Sequence, residues 1–170
     1  MPSIYPNAGR GFAATAIKSL ASGIYVAMGK GLASWGNSPP DPEVTQTALV
    51  LDGGVTTEIG RRQAAQVSWA TTVQAQGSGG PITTDKGTFY PSATQTNYLY
   101  ILGQFDFADG VGETVREVGV FGGVTHSGSA ANLILPNQLT DGGSLMAVTR
   151  FAGFVRANTV KQNFEFIIEL

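Results

Sequence analysis

The sequence predicts a mainly β protein: an antiparallel, sandwich-like or partly closed β domain with a short N-terminal helix and an extended proline-rich arm. Three observations lead to this prediction. Apolar and polar residues alternate along several short segments, turns containing glycine or proline separate those segments, and helical periodicity is confined to the N-terminal region. Such a succession of short strands and turns is typical of all-β domains.

The N-terminal region predicts a helix, a strand and an arm, in that order. Asn7 is placed to cap a helix that has its apolar residues on one face and ends near Gly23. The apolar run at residues 24–28 predicts a short buried strand. Residues 34–42 are expected to be extended, because a residue that precedes proline is disfavoured in helical geometry.

The rest of the chain has the periodicity of strands. Predicted strands lie at residues 65–73, 88–90, 98–107, 114–121 and 160–170. Asp85, Lys86 and Gly87 predict a hairpin turn before the second of these. The 170 residues predict one structural domain, with residues 1–56 as the helix, strand and arm region and residues 57–170 as the β body.

Composition excludes several classes of function. Charged residues make up only 13% of the chain and the formal net charge is -2, so there is no basic field to hold nucleic acid. The chain has no cysteine, which removes thiolate metal sites and cysteine nucleophiles. No apolar stretch is long enough to span a bilayer, so we expect no membrane insertion.

Residues suited to catalysis are few, so we expect no cofactor and no enzymatic activity. His126 is the single histidine and lies in a glycine- and serine-rich loop, where an exposed loop histidine is the simpler interpretation than a hydrolase triad. Paired carboxylates are the remaining acid and base option. The candidates are Asp106, Asp109, Glu113 and Glu117. A small hydrolase is therefore the weakest of the alternatives.

Two groups of residues are candidates for binding other subunits. Trp35 with its following prolines suggests either a stiff docking arm or a carbohydrate-stacking platform. Arg116 and Glu117 are adjacent in a strand, so they point to opposite faces and need separate partners, either between strands or between subunits. Glu58 and the two arginines that follow it are candidate partners. The predicted assembly interface comprises Trp35, Pro39, Pro40, Pro42, Arg61, Arg62, Arg116 and Glu117.

Three stretches of the sequence resemble a known family. GIYVAMGKGLASWGNSPPDP (23–42) resembles the opening of baseplate wedge proteins of contractile-tailed bacteriophages. VTTEIGRRQAAQVSW (55–69), and YLYILGQFDFAD (98–109) with TVREVGVFGG (114–123), are similar to phage tail and baseplate proteins, as is the ending FEFIIEL. Val115 stands where those proteins have isoleucine, and the insert GSGGP has no counterpart in the resemblance.

The resemblance implies a structural subunit of a phage tail, in the wedge or fibre-attachment region of the baseplate. It implies a virion protein that is made in the host cytoplasm, forms homo-oligomers in the assembly and binds other tail or baseplate proteins. It supplies no catalytic residues. A carbohydrate- or receptor-binding tail module is the alternative function.

Overall fold

The computed structural model describes residues 6–77, 79–84 and 87–170 and confirms the predicted mainly β fold with an N-terminal helix. Within these residues one α-helix, α1 (Asn7–Ser19), precedes thirteen strands. The strands are β1 (Tyr25–Gly29), β2 (Leu51–Asp52), β3 (Val55–Thr56), β4 (Glu58–Gln63), β5 (Gln66–Thr71), β6 (Ile82–Thr84), β7 (Gly87–Ser92), β8 (Tyr98–Phe105), β9 (Thr114–Gly122), β10 (Thr125–His126), β11 (Leu139–Asp141), β12 (Ser144–Val155) and β13 (Gln162–Glu169). Short 3-10 helices lie at Ala21–Gly23, Ala33–Trp35, Gln74–Gln76 and Pro136–Gln138.

The chain divides into two compact units. Unit 1 contains the described residues of Met1–Ala21, Ala65–Leu102 and Glu165–Leu170. Unit 2 contains Ser22–Ala64 and Gly103–Phe164. The boundary between residues 56 and 57, where the sequence suggests that a β body starts, lies inside unit 2. The single structural domain stays a prediction.

Unit 2 is built on a four-stranded antiparallel sheet with strand order β12-β9-β1-β4. All residues of β1 are buried, which confirms the buried strand predicted from residues 24–28. In register, Ala27 of β1 lies between Gly119 of β9 and Arg61 of β4. The core on this sheet is formed by Tyr25, Ala27, Leu49, Phe121, Val124 and Ile134.

Unit 1 is built on a sheet with strand order β13-β8-β5-β7-β6. Strands β8 and β13 have residues in both units. Strands β6 and β7 pair antiparallel, which confirms the predicted return of residues 88–90 along a preceding strand. Residues 85 and 86 of the predicted hairpin turn lie outside the described residues. The core of unit 1 contains Ala70, Ile82, Phe89 and Tyr100.

The helix of unit 1 differs from its prediction at both ends. Pro6, not Asn7, occupies the N-cap position, and no side chain of the described residues caps the helix. Its last helical residue is Ser19 rather than a residue near Gly23, because a separate 3-10 turn follows. The helix places Gly11 and Ala14 on its buried face. Its last turn carries Lys18, with the ammonium 4.5 Å from the centre of the Trp69 ring.

The predicted extended arm is not what the structure shows. Ala33–Trp35 form a 3-10 turn, and residues 36–50, called the proline segment below, contain no strand or helix. The segment does not extend away from unit 2, because Arg150 donates hydrogen bonds to the carbonyl oxygens of Pro40 and Asp41. Residues 34–42 are therefore folded back onto their own unit.

Among the residues that the structure describes, no helix has both the length and the apolar character needed to cross a membrane.

Candidate assembly interface

Glu117 is a fully buried charge among the predicted interface residues. It lies on β9 and is 0% exposed. Its Oε1 accepts a hydrogen bond from the backbone N–H of Val50 at 2.7 Å and one from the hydroxyl of Thr57 at 3.2 Å. Opposite it in β1 is Gly29, where an added Cβ would lie 2.7 Å from the Glu117 Cγ. Glycine at position 29 therefore makes room for a buried carboxylate.

The charge partner of Glu117 is Arg150 of β12. The two residues are register partners across the β9–β12 pair, and Arg150 Nε lies 3.7 Å from Glu117 Oε2. Neither of these two atoms has a hydrogen-bond partner among the described residues. Burial raises the pKa of Glu117 above its ordinary value, although the hydrogen bonds from Val50 and Thr57 and the charge of Arg150 act in the opposite direction.

Arg150 also holds the proline segment. Beside its bonds to the carbonyls of Pro40 (3.2 Å) and Asp41 (3.1 Å), it donates to Gln46 Oε1 at 2.8 Å. Its guanidinium carbon lies 4.7 Å from the centre of the Trp35 ring. One guanidinium thus joins the buried carboxylate to the tryptophan and to three points of the segment. A planar group with five donors is suited to this task, whereas a lysine ammonium is not.

Arg116 lies on the face of β9 opposite to Glu117, because adjacent residues of a strand point to opposite faces. It donates to the carbonyl oxygen of Lys30 at 3.0 Å, while its buried Nε has no hydrogen-bond partner among the described residues. Its Cβ and the ring of Trp35 both lie against Gly31, whose φ is +55°. Arg116 and Trp35 therefore pack on the same backbone turn, and no acidic residue of the described part of the chain forms an ion pair with Arg116.

Arg61 and Arg62 of β4 are not partners of Glu117, so that part of the prediction is wrong. Arg61 forms a two-point ion pair with Glu58, with nitrogen to oxygen distances of 2.7 and 2.8 Å. Arg62 pairs with Asp109 at 2.7 Å and with Asp106 at 3.1 Å. These are bridges within unit 2. That any of them faces a neighbouring subunit stays a prediction.

The groups considered for catalysis are engaged in structural contacts. His126 Nδ1 donates to the Gly128 carbonyl at 3.0 Å, which leaves Nε2 to accept from the Tyr25 hydroxyl at 2.6 Å. Lys30 pairs with Glu113 at 2.8 Å. A hydrogen bond from Lys161 lowers the pKa of Asp106, and the charges of Lys161 and Arg62 act in the same direction. The described residues contain no group of three or more acids or histidines placed to hold a metal ion.

Arg150 is the residue that sequence analysis misses. It stands in the run MAVTRFAGF of β12. The run carries one charge among apolar and small residues, and such a charge is costly to bury unless it is paired. That signal can identify Arg150 as a residue in need of a partner, but it does not indicate which carboxylate lies opposite.

Comparison with known proteins adds one finding. A family model described as "Baseplate wedge 3 tail fiber network component" matches residues 3–170, which is nearly the whole chain. No curated protein matches the sequence.

Proposed function

The chain belongs to the family of baseplate wedge 3 tail fiber network components, and we propose that Trp35 and the proline segment form its docking surface for neighbouring subunits. Family membership makes it a structural subunit of a phage baseplate, located in the virion, that interacts with other tail or baseplate proteins. The same finding favours assembly over the alternative of a carbohydrate-binding module.

The observation that carries the proposal is the attachment of the proline segment to Arg150. A segment without regular structure normally loses conformational freedom when a partner binds it. Here Arg150 already fixes three points of the segment, at residues 40, 41 and 46. Prolines at 39, 40 and 42 restrict its backbone further. The segment therefore loses less conformational entropy when a neighbour binds it.

The exposed side chains in this region suit a protein partner. Val44 in the segment is fully exposed, and the hairpin that follows it exposes 56% of Leu51 and 70% of Val55. The Trp35 ring is half-buried against Arg150, so part of it is accessible. Apolar side chains that are exposed and fixed in place release water when a partner covers them.

Three further features complete the proposal. The chain acts without enzymatic activity, which is supported by the structural contacts of His126 and the carboxylates described above. It forms homo-oligomers in the baseplate, since repeated parts of such assemblies are usually related by symmetry. It is made in the host cytoplasm and joins the virion during assembly.

The test is to replace Trp35 in the phage and measure recovery of the chain in purified particles. Truncating an interface anchor commonly costs about 2 kcal/mol or more, so we expect Trp35→Ala to lower recovery while circular dichroism of the isolated chain stays unchanged. Trp35→Phe, which keeps an aromatic ring against Arg150, is the matched control and should retain most of the recovery.

Two outcomes would count against this docking surface. Normal recovery of Trp35→Ala together with lost retention on host glycans would favour the carbohydrate-binding alternative. Normal recovery with normal glycan retention would place the contact with neighbours on another surface of the chain.

A further inference from the structure

A cleft of about 480 Å³ lies on the surface of unit 1, where Glu165 of β13 is next to Tyr100 of β8. Its walls include Gln66, Pro81 and Pro91, and all of its lining residues belong to unit 1. A volume of this size is within the range of ligand-binding clefts. It therefore has room for a large side chain of a partner. We call it the unit 1 cleft.

Tyr100 positions the carboxylate of Glu165 in the unit 1 cleft. Only 5% of Tyr100 is exposed, because it belongs to the core of unit 1 together with Ile82 and Phe89. Its hydroxyl donates to Glu165 Oε1 at 3.0 Å. Burial, this hydrogen bond and the charge of Glu165 raise the pKa of Tyr100 to about 12, so the hydroxyl keeps its proton at neutral pH. A residue anchored in the core thus holds an exposed carboxylate in place.

The negative charge of Glu165 is not balanced within the described structure. Unit 1 has two described acids, and the other one, Glu169, lies 3.7 Å from Arg10. No described basic residue forms an ion pair with Glu165, and none lines the unit 1 cleft. A carboxylate has about four acceptor sites, and the Tyr100 hydroxyl uses one of them. Glu165 therefore keeps both its charge and most of its acceptor capacity for a partner.

The shape and chemistry of the unit 1 cleft suit a long basic side chain. Pro81 and Pro91 line it with apolar ring carbons and have no backbone N–H, so they favour the aliphatic stem of an arginine or lysine. Gly79 lies close to Pro91, since an added Cβ there would be 3.1 Å from the Pro91 Cγ. The Tyr100 oxygen and the Glu165 carboxylate are adjacent acceptors. Adjacent acceptors match the paired donors of a guanidinium better than a single ammonium.

We propose that the unit 1 cleft binds an arginine side chain of a neighbouring baseplate protein, with the guanidinium on Glu165. Charge complementarity supports this partner, because a carboxylate without a base meets a group that has only donors and a positive charge. The family to which the chain belongs supplies such neighbours. The inference does not depend on the docking surface at Trp35, which belongs to unit 2.

A second copy of the chain is not the expected source of this arginine. The chain has six arginines, and each of them already contacts an acid or a carbonyl oxygen of its own chain. Using one of them would break a contact within its own unit. A different baseplate protein is therefore the partner.

Competition between two forms of the full-length chain for incorporation into virions tests the contact. An exposed ion pair changes an equilibrium by up to about fivefold, so we expect Glu165→Gln to be under-represented by about two- to fivefold against the unsubstituted chain. Glu165→Arg sets like charges together and should be under-represented by at least about tenfold. Glu169→Gln is the matched control, because Glu169 is already paired with Arg10, and it should be incorporated equally.

Cross-linking from residue 66 identifies the partner. Gln66 is exposed and lines the unit 1 cleft, so a genetically encoded photo-crosslinking amino acid there lies beside the bound side chain. We expect intact virions to give a product with an arginine-containing segment of another baseplate protein. Replacing that arginine by glutamate in a phage that carries Glu165→Arg should restore incorporation, because the two charges are then exchanged.

The outcomes separate this inference from the proposed function. Equal incorporation of Glu165→Arg and the unsubstituted chain would overturn it, as would a cross-link only to a second copy or to a segment without arginine. If circular dichroism shows that Glu165→Arg does not fold, equal incorporation of Glu165→Gln would overturn it instead. Under-representation of Glu165→Arg with normal recovery of Trp35→Ala would support the cleft and contradict only the docking surface.

Discussion

At the scale of single residues, the ion pair of Glu117 and Arg150 links the core of unit 2 to its candidate docking surface. Glu117 is fully buried and Arg150 is nearly so, and their closest charged atoms are 3.7 Å apart. Removing one member of such a pair leaves the other charge without compensation. The pair is therefore expected to contribute both to folding and to the position of the proline segment.

Replacing Glu117 tests its role in folding. Glu117→Ala should lower the free energy of unfolding by about 3 to 5 kcal/mol, because the charge of Arg150 remains buried without its partner. Glu117→Gln keeps an oxygen to accept from the Val50 N–H and the Thr57 hydroxyl, so it should cost less. Chemical denaturation of the two variants and the unsubstituted chain measures the difference. Equal stability of all three would show that the carboxylate is not a structural group.

The raised pKa of Glu117 predicts how stability depends on pH. The unfolded chain loses this proton near the ordinary value of 4.5, whereas the folded chain keeps it to a higher pH. Proton binding that is stronger in the folded state stabilises it at low pH, and this contribution declines as the pH rises. The test compares the free energy of unfolding of the unsubstituted chain with that of Glu117→Gln. The value for the unsubstituted chain minus the value for the variant should fall as the pH rises from 4.5 through the pKa of Glu117 in the folded chain. A difference that rises instead would mean that pairing with Arg150 outweighs burial.

At the scale of elements, the strands that form continuous apolar runs are predictable and the irregular strands are not. The apolar runs of β1, β8 and β9 are recognisable from the sequence. Strand β12 is not, because its register with β9 shifts twice, between Leu145 and Ala147 and between Arg150 and Phe154. Each shift breaks the period of two on which strand prediction depends. Because β12 carries Arg150, the sequence does not identify the partner of Glu117 either.

The proline segment should loosen when Arg150 is replaced. Arg150→Ala removes the donors to residues 40, 41 and 46, so we expect faster proteolysis and faster hydrogen exchange within residues 36–48. Arg150→Lys keeps a positive charge near Glu117 but has no planar fork to reach the same acceptors. Arg150→Lys should therefore be more stable than Arg150→Ala. Protease should nevertheless cleave the proline segment of the lysine variant nearly as fast as that of the alanine variant.

Unchanged exchange in both Arg150 variants would show that other contacts position the segment. That result would contradict the proposal that Arg150 preorganises the proline segment for docking.

The turn between β11 and β12 depends on one glycine. Gly143 has a φ of +67°, and a Cβ there would meet the carbonyl oxygen of Gly122. Gly143→Ala should destabilise the fold by at least about 1 to 2 kcal/mol, because a residue with a Cβ is disfavoured in the left-handed backbone conformation. Gly142→Ala is the matched control, because the nearest atom to its added Cβ is 3.8 Å away. Similar denaturation midpoints for the two variants would contradict this account of the turn.

At the scale of the whole molecule, composition predicts the class of protein better than it predicts the site. Low charge and the absence of cysteine point to an assembly component, and the family match agrees. The division into two units is not visible in the sequence, because unit 1 is drawn from three separate stretches of the chain. The sequence predicts an arm from its prolines, which restrict the backbone but do not determine whether a segment leaves the fold. Arg150, more than a hundred residues away in the sequence, keeps the segment on the fold through its hydrogen bond to the Pro40 carbonyl.

Labelling at Ser38 tests whether residues of the proline segment contact a neighbouring subunit in the baseplate. Ser38 is exposed, and Ser38→Cys would be the only thiol in the chain. We expect a maleimide to label this thiol in the isolated chain and in virions disassembled with denaturant, but not in intact virions. A photo-crosslinker attached there before assembly should join the chain to another tail or baseplate protein or to a second copy. Equal labelling in intact and disassembled virions, with no cross-linked product, would contradict the claim.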